Sequence, residues 1–477
     1  MSVDVANKTL SRILNWQRCL LSVTIASCLS MFAQESIPDN PVEAITEMIE
    51  LMDGSTLHGF TRGLSGDQGL TWQHPLASNE VTFDLTNLSR LRLNTMGLVR
   101  AERQPDCRFE FSNGDLIYGN LLALGEESVE LETWFGGQLN THRSALRRIA
   151  FLKTGYKVIY EGPNNLTEWE LGAGQNGWSY QDVSLKIKSR GVIGRDFGLK
   201  DSVNLSFDLK WEQPYQLSVT LFTDTYNRFD YRQGSYIFFL SPQFVSFQRV
   251  QPGTGVLTLG QSRIESLNGR SEARFSIRAH RESSRFVVYI NDEPIGNFRD
   301  NRGFVAEGSG ISFSSQLSSS SFALSNLLVT EWDGSDEEQE EDLVLGERDV
   351  LSLVNQDRPK GRVVSIRDQS IEFLLREERA IRLPMERVKQ IQFNQTDQTT
   401  HQTETHPSRV RAHFAGGGSL SFDLLSLEED LLNGKSSTFG PLSFRSDSIR
   451  QIEFNLNHQS LHKDDAADGI WILEDNP

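Results

Sequence analysis

Four short segments of the chain end on one pattern of apolar and polar positions, two on each side of a long stretch that looks nothing like them. They are Leu88-Ser-Arg-Leu-Arg-Leu93, Leu146-Arg-Arg-Ile-Ala-Phe151, Val388-Lys-Gln-Ile-Gln-Phe393 and Ile449-Arg-Gln-Ile-Glu-Phe454. Apolar, polar, polar, apolar, polar, apolar predicts a half-buried strand entered through a tight turn. Upstream of two of these endings stand matching hairpins. Ile49-Glu-Leu-Met-Asp53-Gly54 runs into Leu57-His-Gly59, and Phe109-Glu-Phe-Ser-Asn113-Gly114 runs into Ile117-Tyr-Gly119. Asp-Gly and Asn-Gly tolerate positive φ at both central positions, as a tight hairpin requires. Further hairpins are predicted at Ser128 to Leu139 and Thr438 to Phe444. The third repeat has no Asp-Gly turn but keeps the alternation from Gly361 to Phe373 and at Ala380 to Pro384. The fourth opens on Phe414-Ala-Gly-Gly-Gly418 instead. Each unit has the size of a small SH3-like or Sm-like barrel, with a core modest enough that neighbouring units should pack together.

The pattern changes between Val158 and Trp332. Longer, more aromatic strands follow at short spacing, including Val203 to Trp211, Gln216 to Phe222, Tyr236 to Leu240, Ala273 to Ile277, Arg285 to Ile290 and Gly310 to Phe313. Alternation without helical periods predicts an antiparallel sandwich. The fold class read from the chain is therefore all-β: a jelly-roll β-sandwich flanked by small β-barrel repeats. The boundaries are a signal peptide at 1–33, repeats at 45–97 and 104–154, and the sandwich at 158–332. An acidic linker (333–345), a third repeat (346–394), a polar linker (395–408), a fourth repeat (409–456) and a tail (457–477) complete it. The linkers, Asp/Glu-rich and Gln/Thr/His-rich, read as mobile connectors. Gly469-Ile-Trp-Ile-Leu473 is an isolated apolar group in the tail.

Charge and address narrow the function. The formal net charge of -17 opposes nucleic acid, which needs a basic stripe, and anionic lipid. Lys8, Arg12 and Arg18 precede an uncharged run from Cys19 to Ala33, followed by Gln-Glu-Ser. That is the form of a secretory signal, and the run is short for a membrane span. Two alternatives stay open: Ile25-Ala-Ser-Cys28 resembles a bacterial lipobox with Cys28 as the lipidated residue, and the segment could remain as an uncleaved anchor. No further span is expected. Of three cysteines only Cys107 lies in the body, so no disulfide framework is expected there, and Cys107 reads as a buried small hydrophobe.

The opening Tyr160-Glu-Gly with Trp169, the Phe207-Asp-Leu-Lys-Trp211 strand, the Val-Tyr-Ile-Asn291-Asp292 hairpin with Gly296, and the closing Gly310-Ile-Ser-Phe313 and Leu327 to Trp332 resemble the concanavalin A-like lectin/glucanase jelly roll. The segment is similar in particular to the laminin G-like and 3-keto-disaccharide hydrolase-like versions in envelope proteins of bacteria such as Planctomycetes and Verrucomicrobia. The resemblance implies a sandwich and a carbohydrate or envelope-glycan partner; it carries little catalysis with it. Glycosidases need two facing carboxylates, and no strand here alternates them. No zinc spacing or nucleophile–base spacing is present, so no catalytic residue, metal or cofactor is expected.

Sugar binding needs aromatic faces beside planar polar side chains. The densest cluster is Tyr226-Asn227-Arg228-Phe229-Asp230-Tyr231-Arg232, expected at a strand end or on the concave rim. Trp178 and Tyr180, read as part of a Gly-rich opening loop, are candidates to join it, although Trp169, Trp178 and Trp211 read more simply as core or cap residues, as large aromatics in sandwiches usually are. The candidate ligand-binding residues are thus Tyr226, Asn227, Arg228, Asp230, Tyr231, Trp178 and Tyr180. The reading is an exported, non-catalytic envelope protein that binds carbohydrate, its repeats serving as spacers or protein-contact modules. Two alternatives remain: a glycoside hydrolase or lyase, with carboxylates drawn from Asp224, Asp230, Glu265 or Asp292, and a protein interaction scaffold whose repeats assemble copies of the chain.

Overall fold

The computed structural model describes residues 47–93, 104–152, 157–172, 177–212, 214–332, 348–375, 379–394, 406–428 and 430–456. The proposed signal segment with Cys28, the acidic linker, most of the polar linker and the Gly469 group lie outside them. Among the described residues the regular structure is strand, interrupted only by short 3-10 turns. Among these residues no helix is long and apolar enough to cross a membrane.

Two five-stranded units precede the sandwich. The first contains β1 (Glu47–Leu51), β2 (Thr56–Ser65), β3 (Gly69–Gln73), β4 (Val81–Phe83) and β5 (Leu88–Arg92). The second contains β6 (Cys107–Phe111), β7 (Leu116–Leu124), β8 (Ser128–Thr133), β9 (Gly137–His142) and β10 (Leu146–Phe151). Fifteen strands, β11 to β25, form the sandwich. The third unit follows with β26 (Asp349–Leu353), β27 (Lys360–Arg367), β28 (Ser370–Leu374), β29 (Ala380–Pro384) and β30 (Val388–Gln392). The fourth has β31 (Arg409–Phe414), β32 (Ser419–Glu428), β33 (Leu431–Ser436), β34 (Gly440–Arg445) and β35 (Ile449–Glu453). In every unit the first strand pairs with the second and fifth, the second with the third, and the third with the fourth, all antiparallel. The second strand carries a register shift against the third at the same place in all four, at Thr61/Gly63, Leu121/Ala123, Val363/Ser365 and Leu424/Ser426. Such a bulge bends one long strand so that it serves two sides of a small closed core.

The turn between the first two strands closes with the same two backbone bonds in all four, and it corrects one expectation. In the first unit's turn Gly54 has positive φ while Asp53 does not; in the fourth, Gly416, Gly417 and Gly418 all do. The Asp53 carboxylate accepts from Ser55 N at 2.8 Å, an Asx turn that keeps Asp53 right-handed and leaves one left-handed position for glycine. Leu51 N donates to Ser55 O and Gly54 N to Leu51 O; Phe111/Asp115/Gly114, Leu353/Asp357/Gln356 and Phe414/Gly418/Gly417 repeat the pair of bonds. The third unit therefore keeps the turn, with Gln356 at φ 72 in the glycine's place.

The units join in the spatial order three, two, four, one. β10 pairs with β30, Ile149 facing Ile391, and β5 pairs with β35, Leu91 facing Ile452. These four residues hold the same place in the shared hexapeptide, so each joint has a local two-fold at that position. Units two and four meet through Phe135, whose ring stacks on Phe414 with centroids 3.7 Å apart, and through Phe439 edge-on to Phe111 at 5.1 Å. One apolar core runs through all four units, which is how individually small barrels reach an adequate burial. Cys107 is buried in it.

The sandwich has its own core between two antiparallel sheets. The eight-stranded sheet contains β11 (Val158–Gly162), β13 (Trp178–Gln181), β14 (Ser184–Ile187), β16 (Ser202–Trp211), β21 (Glu272–His280), β22 (Arg285–Ile290), β23 (Glu293–Arg299) and β25 (Phe322–Thr330). The seven-stranded sheet runs in the order β12 (Glu170–Leu171), β15 (Gly191–Asp196), β24 (Gly310–Ser315), β17 (Leu217–Thr223), β18 (Ser235–Leu240), β19 (Phe244–Gln251) and β20 (Gly255–Arg263).

The outer face of the eight-stranded sheet docks on units one and four through polar groups. Arg90 forks onto Glu272 at 2.6 and 3.1 Å, and Lys210 reaches Glu50 at 2.8 Å. His58 meets Asp182 at 2.5 Å, Arg450 binds Glu161 at 3.0 Å, and Glu161 also accepts from Gly416 N at 2.9 Å. Asp208, held by Arg274 and Asn326, lies beside Gln451 and Arg92. These contacts use the outer face of the eight-stranded sheet and leave the seven-stranded sheet facing away from the joint.

Candidate functional site

Strict alternation divides the seven-stranded sheet. Leu217, Val219, Leu221, Phe238, Leu240, Val245, Phe247, Ile311 and Phe313 enter the core, so the residues between them line the opposite face. The register places Gly194, Ser312, Thr220, Ile237, Gln248 and Thr258 in one row across the sheet, and Val192, Ser314, Ser218, Phe239, Ser246 and Gln261 in the next. The middle of this face is a floor of small hydroxyl side chains and Ile237, and it is closed to solvent: Ser218, Thr220, Ser246, Ser312, Ser314 and Ile237 are 1–7% exposed.

The loop from Asp224 to Gly234, between β17 and β18, lies over one end of that floor. Tyr226 covers two glycines: a Cβ on Gly310 would collide with its ring, and one on Gly194 would stand 2.9 Å from its carbonyl oxygen. At the loop's start, Thr223 Oγ1 accepts from Thr225 N at 3.0 Å. Burial raises the Tyr226 hydroxyl above its ordinary pKa, and the nearby Asp196 and Asp224 carboxylates add to the effect. Asp196 accepts from Ser309 Oγ at 2.7 Å and Gly198 N at 2.8 Å, which holds its own carboxyl below the usual range.

Further along the loop Asp230 accepts from Arg232 N at 2.9 Å, from Arg232 Nε and Nη2 at 3.1 Å each, and from Arg228 Nη2 at 3.4 Å. The Arg232 side chain, then its backbone N–H, lower the Asp230 carboxyl to about 2. Both guanidiniums remain largely exposed. The Phe229 and Tyr231 rings stack nearly parallel, 5.9 Å apart, with Tyr231 53% exposed. Asn227 is half-buried in the same loop. The loop thus gathers one open aromatic face and two planar cations around a fixed carboxylate.

Trp178 and Tyr180 do not join this group. They lie on strand β13, not in a loop. Trp178 is 5% exposed, edge-on to Phe322 at 5.8 Å within the core. Tyr180 packs on the same core and donates to Pro163 O at 3.4 Å. The seven-stranded sheet separates them from the loop, because core contact was the stronger demand on two large rings.

The carboxylates weighed for hydrolysis are scattered. Glu265 is exposed beside Arg263, and Asp292 sits in the β22–β23 turn of the other sheet. Asp224 and Asp230 share the loop, but a carboxyl that titrates near 2 is a poor proton donor near neutrality. Among the described residues no group of three or more His, Cys, Asp or Glu is placed to hold a metal ion.

No family model matches the chain, and no curated protein matches it. Among solved structures, the carbohydrate-binding module CBM66 from Bacillus subtilis is 12% identical, with a TM-score of 0.25, covering 34% of this chain and 95% of its own. The metal-free carbohydrate recognition domain of Emp46p is 12% identical, TM-score 0.29, covering 37% and 98%. Arcelin-5, a lectin-like defense protein from Phaseolus vulgaris, is 10% identical, TM-score 0.28, covering 36% and 97%. The assignment as a β-sandwich rests on strand order and register in the chain itself.

Proposed function

We propose that the protein is an exported, non-catalytic component of a bacterial cell envelope whose sandwich binds carbohydrate at the 224–234 loop. The observation that carries the reading is the exposed Tyr231 ring, stacked on Phe229 and flanked by Arg228 and Arg232, which Asp230 orients. An aromatic face that takes the apolar side of a sugar ring, with fixed planar donors at its rim for the hydroxyls, is the chemistry such a ligand requires. Tyr226, Asn227, Arg228, Asp230 and Tyr231 form the site, without Trp178 and Tyr180. The five-stranded units act as SH3-like spacers or contact modules that hold the sandwich away from the envelope. Export rests on the Lys8 to Ala33 segment.

A glycan array probed with the full chain, alongside Tyr231→Ala and an assay for released sugar, tests this. Saturable binding without product is expected. The variant should weaken it about 10-fold, the equivalent of about 1.4 kcal/mol of ring stacking. Released sugar would move the protein to the hydrolases, and binding indifferent to Tyr231 would displace the site.

A further inference from the structure

The contact between units two and four buries a defined set of positions. At the end of the first strand these are Phe111 and Phe414, each 2% exposed. On the fourth strand they are Leu139 and Thr141 in unit two (7% and 6%), and Leu442 and Phe444 in unit four (7% and 1%). The tip between the third and fourth strands of each unit closes the contact. Phe135 stacks on Phe414, and Phe439 meets Phe111. Thr141 Oγ1 donates to Thr438 O at 2.8 Å, and Asn113 Nδ2 to Thr438 Oγ1 at 3.2 Å. One face of the unit is thus paired with the same face of another.

Units one and three stand at the two ends of the row, and there the equivalent positions are open. Leu51 and Leu353 match Phe111 and Phe414 and are only half-buried. Val81 and Phe83 in unit one, and Ile381 and Leu383 in unit three, match the buried fourth-strand pairs; Val81 is 46% exposed and the other three half-buried. The tip of unit one carries Leu76, which is 92% exposed where units two and four insert Phe135 and Phe439. Val354, beside Leu353, is 38% exposed. Terminal repeats of a stacked array ordinarily carry a polar outer face, and neither of these does. Their rims differ in sign. Exposed Asp53, Glu80 and Asp84 border the open face of unit one, and exposed Arg379, Arg382 and Arg387 border that of unit three, where Glu386 lies 3.9 Å from Arg387 and leaves an excess of positive charge.

We propose that copies of this chain associate end to end, the open face of unit one in one copy seating on the open face of unit three in the next. The chain already contains this kind of joint between units two and four. The opposite rim charges favour one–three pairing over one–one or three–three, in which like charges would meet. The contact is heterologous, so it continues into a ring or a filament. It is independent of sugar binding.

Sedimentation velocity of the full chain over a range of concentrations tests the proposal, with Leu76→Glu and Ile381→Glu as variants at the two ends. Leu76 is too exposed to be needed for folding, and the melting temperature of each variant checks this. The wild-type chain is expected to form species of two or more chains as concentration rises, and each variant alone to remain a single chain. Mixing the variants should restore a two-chain species and nothing larger, because one intact unit-one face and one intact unit-three face remain. A wild-type chain that stays single at every concentration overturns the proposal. So does association that survives either substitution, or a mixture that stays single.

Discussion

Gln356 shows what a single residue costs this fold. It occupies at φ 72 the position that Gly54, Gly114 and Gly417 hold in the other units, and a side chain in left-handed backbone costs about 1–2 kcal/mol. Gln356→Gly should therefore stabilise the protein by about 1 kcal/mol, after the extra freedom it gives the unfolded chain, measured as a higher urea midpoint. Asp300 lies at the other extreme. It is 2% exposed and accepts from Tyr236 OH at 2.8 Å and Arg302 N at 3.0 Å, besides its ion pair with the 6% exposed Arg249. Asp300→Ala would strand a buried guanidinium and should destabilise by about 3–5 kcal/mol, read by the same titration. The Asp230 network was foreseen only as a cluster of types along the chain. That its carboxylate organises two arginines became visible with the loop's shape.

The strand endings and the hairpins were legible in the sequence because alternation and glycine punctuation report local geometry. The turn of the third unit was not, since Gln356 sits where the pattern asks for glycine and only the backbone bonds of Leu353 reveal it. The core role of Trp178 is borne out, but the loop assignment of Trp178 and Tyr180 fails for a related reason: two aromatics after a Gly-rich stretch look the same whether they line a loop or begin an edge strand. At the scale of elements the contact between units two and four carries the most consequence. Phe135 is 6% exposed and touches Phe414 and Phe444 across it. Phe135→Ala should cost about 3–5 kcal/mol. The loss should fall on the first and second halves of the row together if the four units share one core, which amide hydrogen exchange in β6 and β31 would record.

For the molecule as a whole, the order three, two, four, one could not be read from the chain, because the pairings that set it join β5 to β35 and β10 to β30 across the entire sandwich insert. The docking of the sandwich was equally hidden, since Arg90, Glu50, Asp208 and Glu272 look like ordinary surface charges in their strands. Burial pushes the carboxyls of Asp208, Glu50 and Glu453 upward. Arg274 at Asp208, Arg90 and Lys210 at Glu50, and His413 at Glu453 outweigh it and hold them below their ordinary values. Groups depressed in the folded state stabilise it above their unfolded values of about 4, and that contribution is lost as pH falls through the folded values. The melting temperature of the full chain should accordingly hold between pH 5 and 7 and fall below about pH 4. Proteolysis at the junctions between sandwich and units should rise with the fall. An unchanged melting temperature at pH 3 would mean that the joint does not depend on these carboxylates.

Carbohydrate binding at the 224–234 loop is tested most directly by hydrogen–deuterium exchange on the full chain, with and without a saturating concentration of the glycan that binds most strongly on the array. Slowed exchange is predicted in residues 224–234 and in the β17 and β24 backbone beside them, with the four units unchanged. Protection confined to the units, or to β13 and the eight-stranded sheet, would contradict it.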